Sequence, residues 1–377
     1  MYFSCGPTRK LHDNINLKEA CLHRSHRSTS ARDKIKEILF LVRKALNLPK
    51  NYEVILINGS ATAAVECALW NLLGSRPVNT IVFDTFSKRW MEDVIKLKLP
   101  HVPIIYDSNL NFDDFKSVIF KQVNSRYDLV FTHTATANGL YWCDENVLLN
   151  HQGLKICDAT SAAFIADIPW QMLDAVAFSF AKVLGAEGGI GCLILNSSCD
   201  YINNFSTIPT PRFMQLSEMS ISEMKNGYTL NTISMLVIED ILFALRMYIS
   251  NGGRKWAKNR AIENQALLVN CLSECDMLSV STNDFVPQIT FATPKWNLLR
   301  QKINYSFSEK HEQWQFLNFI EQKANKMQVY DISGHSSENP CWRFWTGPTL
   351  PASEVKQGAM LFKQCFEKYF ADFTLFK

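Results

Sequence analysis

Apolar positions repeat with two different periods along this chain, and the switches between them mark out its elements. Residues 53–57 (EVILI), 80–84 (TIVFD), 129–134 (LVFTHT), 154–158 (LKICD), 176–180 (VAFSF) and 191–195 (GCLIL) are short apolar runs. Several are nearly continuous, as expected of strands covered on both faces. Longer stretches of helical period lie among them. In 31–46, Ile35, Ile38, Leu39, Val42 and Leu46 fall on one face, and 63–73, 91–97 and 234–249 are also read as helices, the last capped by YTLNT (228–232). Strands alternating with helices from Glu53 to Leu195 predict an α/β fold with a mostly parallel sheet. From about residue 279 the elements shorten: a strand at 288–291, a helix at 312–327 and a strand at 341–345, expected to form a small α+β unit.

Two strand ends carry unusual chemistry. The alternation of Val176, Phe178 and Phe180 stops at Lys182, and a turn with Gly185, Gly188, Gly189 and Gly191 follows. An amine held partly out of water loses preference for its charged form and becomes a usable nucleophile. By itself Lys182 reads first as a solvated strand-end residue, and a second element upstream reverses that reading. Upstream, LKICDATSAA (154–163) ends its strand at Asp158, with Thr160 and Ser161 behind it. A carboxylate and a lysine at neighbouring strand ends suit pyridoxal phosphate: the first keeps the pyridine nitrogen protonated and the second carries the aldehyde as an imine.

Other stretches suit anions. HRSHRSTS (23–30) gathers Ser, His and Arg where a helix begins, although a plain helix cap reads the same way. NGSAT (58–62) brings small residues to a helix start, where free N–H groups bind phosphate. Arg343, inside the apolar run CWRFW, needs either a fixed anion or an edge position in solvent.

DATSAAF (158–164), followed by FSFAKVLGAEGG (178–189), resembles the phosphoserine aminotransferases of the class V, fold-type I family of pyridoxal phosphate enzymes. The branch reading DATSAAF and FSWQKVLGGEG is nearest, and the likeness runs from Phe3 to the last helix. It implies a large domain with a mostly parallel seven-stranded sheet plus a small C-terminal α+β domain. The expected division is an active-site arm at 1–30, the cofactor-binding part at 31–270 and the small part at 271–377. The resemblance implies that Lys182 bonds the cofactor and shuttles a proton, and that Asp158 supports the protonated ring. Ser60, Ala61, Thr62 and Ser179 would hold the cofactor, Phe86 would stack on its ring and Thr136 would bond its ring oxygen. Asn231 and Thr232 would reach the neighbouring subunit's cofactor phosphate, which makes the protein a homodimer with shared active sites. His26 and Arg27 would take the substrate's phosphate, often across that boundary, and Arg343 its α-carboxylate, with His335 nearby. Arg9 and Lys10 would lie toward an anionic ligand. Trp90 is expected to pack beneath helix 91–97, and His133 to be structural. The implied substrates are amino acids and 2-oxo acids: glutamate and 3-phosphohydroxypyruvate exchanging with 2-oxoglutarate and phosphoserine.

Three positions depart from that pattern. Ala181 stands where the family usually has a glutamine on the cofactor phosphate, Ser336 where it usually has a phosphate-binding arginine, and the stretch at Arg212 differs from the usual IFRMTK. One charge-assisted contact is worth about 1.5–3 kcal/mol, so losing one weakens phosphate binding about tenfold or more. A relative acting on an unphosphorylated acid, a lyase on the same cofactor and a non-catalytic descendant therefore stay open.

Composition narrows the partners. A formal charge of +3 is small for 377 residues and is spread out, which points to neither nucleic acid nor membrane. Residues 1–14 are polar, and no window approaches the ~18 apolar residues of a membrane span. Eleven cysteines without a CxxC pair read as reduced thiols of a cytoplasmic protein, with Cys67, Cys157 and Cys192 in the core and no metal site expected.

Overall fold

The computed structural model describes residues 1–11, 20–22, 24–107, 111–197, 208–303, 305–336 and 338–376. Its main sheet has seven strands: β1 (Tyr52–Asn58), β2 (Val78–Val82), β3 (His101–Ile105), β4 (Asp128–Thr132), β5 (Lys155–Asp158), β6 (Ala175–Ser179) and β7 (Ile190–Asn196). They lie in the order β1-β7-β6-β5-β4-β2-β3. Only β7 runs against its neighbours, β1 and β6; the other pairs are parallel. The α/β class and the mostly parallel seven-stranded sheet are as expected. β3 gave no clear signal in the sequence because it is an edge strand, half exposed and interrupted by Pro103.

Helices α1 (Thr29–Leu46), α2 (Ala61–Leu72), α3 (Thr85–Lys96), α4 (Phe112–Gln122), α5 (Glu145–Leu149), α6 (Ile221–Lys225) and α7 (Met235–Ser250) accompany this sheet, while α8 (Gly253–Ser273) follows α7 and packs mainly against the smaller C-terminal unit. The pleat divides each strand between two apolar layers. Val176 and Phe178 of β6 join the layer holding α1 and α7, while Ala175 and Ala177 join the layer holding α2. Those small side chains let α2 lie close. A side chain at Gly191 would put its Cβ 2.3 Å from the Ser60 carbonyl oxygen, so glycine is required where the start of α2 approaches the sheet.

Two local expectations are corrected. The helix placed at 91–97 begins at Thr85, because Asp84 and Ser87 form a capping box in which the Ser87 N–H donates to Asp84 Oδ1 at 2.8 Å. Phe86 and Trp90 therefore sit one turn apart on α3. Helix α7 is capped by Ser234, whose hydroxyl accepts from the Val237 N–H at 3.4 Å, and not by the 228–232 segment.

A second, antiparallel sheet of β8 (Leu278–Ser281), β9 (Ile289–Pro294) and β10 (Trp342–Trp345) lies with α9 (Trp296–Ile303), α10 (Lys310–Lys326) and α11 (Ala352–Tyr369). Trp342 and Phe344 pack edge-on against Phe362 of α11, with ring centroids 5.0 and 5.1 Å apart. The N-terminal arm is stitched to this unit, since the Trp345 N–H donates to the Phe3 carbonyl and the Phe3 N–H to that of Tyr330. Among the described residues, no helix is long and apolar enough to cross a membrane.

Candidate active site

The carboxyl ends of β4, β5 and β6 open on one edge of the sheet, where ligands of such folds collect. A cavity of about 210 Å³ lies there, walled by the arm at Gly6 and Pro7, the start of α2, Phe86, Thr136, Asp158 and Lys182. Lys182 sits just past β6, and its Nζ donates to the hydroxyls of Thr136 and Ser161, the latter at 2.9 Å. Its backbone is clamped by the arm. Thr8 donates its hydroxyl to the Lys182 carbonyl at 2.6 Å and its N–H to that of Ala181 at 2.9 Å. Burial holds the Lys182 amine down to about 8; nearby Cys5 and Asp158 act upward and Arg343 downward. A neutral amine is thus accessible near neutral pH, as a nucleophile or base requires.

Asp158 ends β5 at 5% exposure. Its Oδ1 accepts from the Thr160 N–H (3.0 Å) and hydroxyl (2.5 Å), and its Oδ2 from Trp90 Nε1 (3.1 Å). Burial pushes the carboxyl up, while the Thr160 bonds and Lys182 pull it back. The Phe86 ring lies 5.8 Å from Lys182 Nζ.

A second hollow continues from the first, sharing Gly6, Phe86, Thr136 and Lys182 and adding Cys5, His335 and Arg343. Arg343 Nη1 donates to the Thr136 carbonyl at 3.2 Å, while its Nε is buried without a partner among the described residues. An orphaned guanidinium N–H beside a reactive amine is suited to a carboxylate. His335 lies edge-on to Phe86 at 6.3 Å, its basicity lowered by burial and then by Arg343.

No family model matches the chain. Phosphoserine aminotransferase of Methanosarcina mazei is 31% identical over 367 residues, covering 94% of this chain and 93% of the relative. The chain belongs to the phosphoserine aminotransferase family. It is a pyridoxal-phosphate-dependent aminotransferase. Among solved structures, an aspartate aminotransferase of Thermus thermophilus superposes with a TM-score of 0.77 at 17% identity, covering 97% of this chain and 99% of that one. A phosphoserine aminotransferase of Trichomonas vaginalis with bound pyridoxal phosphate gives 0.71 at 15% identity, covering 96% and 99%. Identities this low speak for the fold.

The residues of this aminotransferase fit the cofactor. Asp158 offers a buried carboxylate, and Lys182 an amine of lowered basicity. Ser60, Ala61 and Thr62 place the start of α2 on the cavity, with Ser179 beside them, and a side chain at Gly188 would meet nothing within 4 Å. Thr132 also lines the cavity, with its hydroxyl buried and unpaired among the described residues. In place of the family's glutamine, Ala181 presents only a methyl group to this cavity.

Four expected residues lie elsewhere. His26 and Arg27 line neither cavity within this chain; His26 is half-buried and Arg27 exposed. Asn231 and Thr232 are also outside, with the Asn231 side chain donating to the Phe213 carbonyl and Asn58 Nδ2 to that of Thr232 at 2.8 Å. The cations of the arm are spent internally. Arg9 pairs with Glu354 at 2.9 Å and Lys10 with buried Asp240 at 2.6 Å, so neither is set toward an anionic ligand. His133 is buried with Nδ1 on the Thr134 hydroxyl (2.9 Å), and burial holds it neutral down to about 4, in keeping with a structural residue.

Sequence reasoning missed Ser161, Thr132 and Thr134 as cavity residues and mistook Trp90 for packing alone. Thr132, Thr134 and Thr136 alternate at the end of β4, a period-two signal that was legible. Trp90 carried none, because its partner is 68 residues away.

Proposed function

We propose that this chain transfers the amino group between glutamate and 3-phosphohydroxypyruvate, forming 2-oxoglutarate and phosphoserine in serine biosynthesis. The observation that carries the chemistry is a weakly basic Lys182 amine and a buried Asp158 carboxylate on one cavity. The substrate rests on the name of a relative that matches nearly the whole chain.

Pyridoxal phosphate, when bound, supplies an aldehyde and a ring that accepts electrons. Asp158 would hold the protonated ring nitrogen by accepting its hydrogen bond, and Phe86 covers one face of the cavity. The start of α2, with Ser60, Ala61, Thr62 and Ser179, binds phosphate through N–H groups and hydroxyls. Arg343 takes the substrate α-carboxylate on its free Nε, which holds the Cα–H bond toward Lys182. The neutral Nζ of Lys182 removes that proton, and Thr136 and Ser161 accept hydrogen bonds from the ammonium so formed. His335 lies near enough to Arg343 to read the distal anion.

His26, Arg27, Asn231 and Thr232 complete a neighbouring subunit's site in a homodimer. Their position outside their own cavity supports this, as do exposed Phe40, Phe213 and Leu236. The ten described cysteines are unpaired, which supports a cytoplasmic location. The division into residues 1–30, 31–270 and 271–377 is proposed on the same footing. Steady-state turnover with phosphoserine, serine and aspartate as amino donors tests the assignment. Phosphoserine is expected to give the highest kcat/KM, and a preference for an unphosphorylated donor removes it.

A further inference from the structure

We propose that Trp90 is a positioning residue of this site: its indole N–H holds the Asp158 carboxylate charged and aimed at the cofactor's ring nitrogen. The inference rests on the cofactor reading above and adds a residue to it.

Trp90 and Asp158 are 2% and 5% exposed, and both line the cavity. Thr160 supplies both donors to Oδ1. Oδ2 has one donor among the described residues, Trp90 Nε1 at 3.1 Å. A buried carboxylate tends toward its neutral acid, which cannot stabilise a protonated ring. Every N–H donated to the anion opposes that tendency. Trp90 is well placed for this task because both ends of the bond are anchored. Its helix is fixed at Asp84 by the capping box, and its ring packs in the apolar cluster with Val94, Val65 and Ile156. The Asp158 main chain is pinned as well, its carbonyl accepting the His133 N–H at 2.9 Å. Unlike a hydroxyl, an indole nitrogen can only donate, and its bond to the anion is stronger than its bond to the neutral acid, so it favours the carboxylate. Charge-assisted donors of this kind change an equilibrium by about tenfold or more.

The test uses the holoenzyme with the cofactor's pyridine nitrogen labelled with ¹⁵N. In the wild type the ring nitrogen should resonate at its protonated position. In Trp90→Phe it should move toward the unprotonated position, with the cofactor's dissociation constant raised about tenfold. Val94→Ala, on the same helix and in the same cluster, should lower thermal stability and leave the resonance in place. A Trp90→Phe resonance at the wild-type position overturns the proposal. If that variant does not fold, the indole N–H of Trp90 in the wild-type holoenzyme decides: a downfield proton, as for a bond to carboxylate, supports it, and the position of a water-exposed indole overturns it. A wild-type protein that fails to bind the cofactor would instead sink the reading of the site.

Discussion

Replacing Ser161 with alanine should lower the basicity of Lys182 while leaving the amine in place. Lys182 Nζ has two hydroxyl acceptors, Thr136 and Ser161, and the Ser161 contact is 2.9 Å. Ser161 is 2% exposed, so its bond to Lys182 forms largely out of water. A hydrogen bond from a charged donor contributes about 1.5–3 kcal/mol, and one pKa unit corresponds to about 1.4 kcal/mol. Loss of the weaker such bond therefore shifts the amine by about one unit. The starting value is about 8, set mainly by burial. The sign follows from which form is bonded: the hydroxyl oxygen supports the ammonium, so its removal favours the free amine and moves the midpoint toward about 7. An amine-selective acylating reagent, applied to the cofactor-free protein across pH 5–10, reads this directly when the Lys182 peptide is quantified by mass spectrometry. Only the neutral amine reacts, so labelling rises through the pKa. A Ser161→Ala midpoint at or above the wild type would falsify the claim that this hydroxyl supports the charged amine.

Two further outcomes follow from the same contacts. Lys182 has a folded-state value of about 8 against an ordinary 10.5, so below pH 8 the cofactor-free protein bears the full cost of burying a cation. The cost fades as pH rises through that interval. Lys182→Met should thus be more stable than the wild type below pH 8, with the gap closing toward pH 10.5 in denaturant titrations; a pH-independent gap contradicts this. Gly185→Ala should loosen the arm, because φ is +67° there and the new Cβ would lie 2.5 Å from the Arg9 carbonyl oxygen. Strain of about 1–3 kcal/mol should appear as a lower melting temperature and faster cofactor loss in dialysis, and an unchanged protein would show that the arm does not brace Lys182.

Much of this molecule was legible in one dimension, for reasons that are themselves local. Strands buried on both faces must be apolar throughout, so six of the seven strands of the main sheet stood out, and only the half-exposed edge strand β3 escaped. Lys182 and Asp158 were visible because each interrupts an apolar run at the point where its strand ends. The start of α3 was misplaced, since Asp84 capped a helix whose first turn reads as loop. What the tertiary structure alone decided was which side chains meet. Trp90 reaches Asp158 across 68 residues, Lys182 reaches Thr136 across 46, and Thr8 clamps the Lys182 backbone across 174. Arg9 and Lys10 find intrachain carboxylates that no spacing announces. Period and capping are properties of neighbours in sequence, whereas the field around a buried charge sums over groups brought together by the packing of separate elements. The chain order could therefore mark the reactive amine and acid, and only the folded arrangement could say what tunes them.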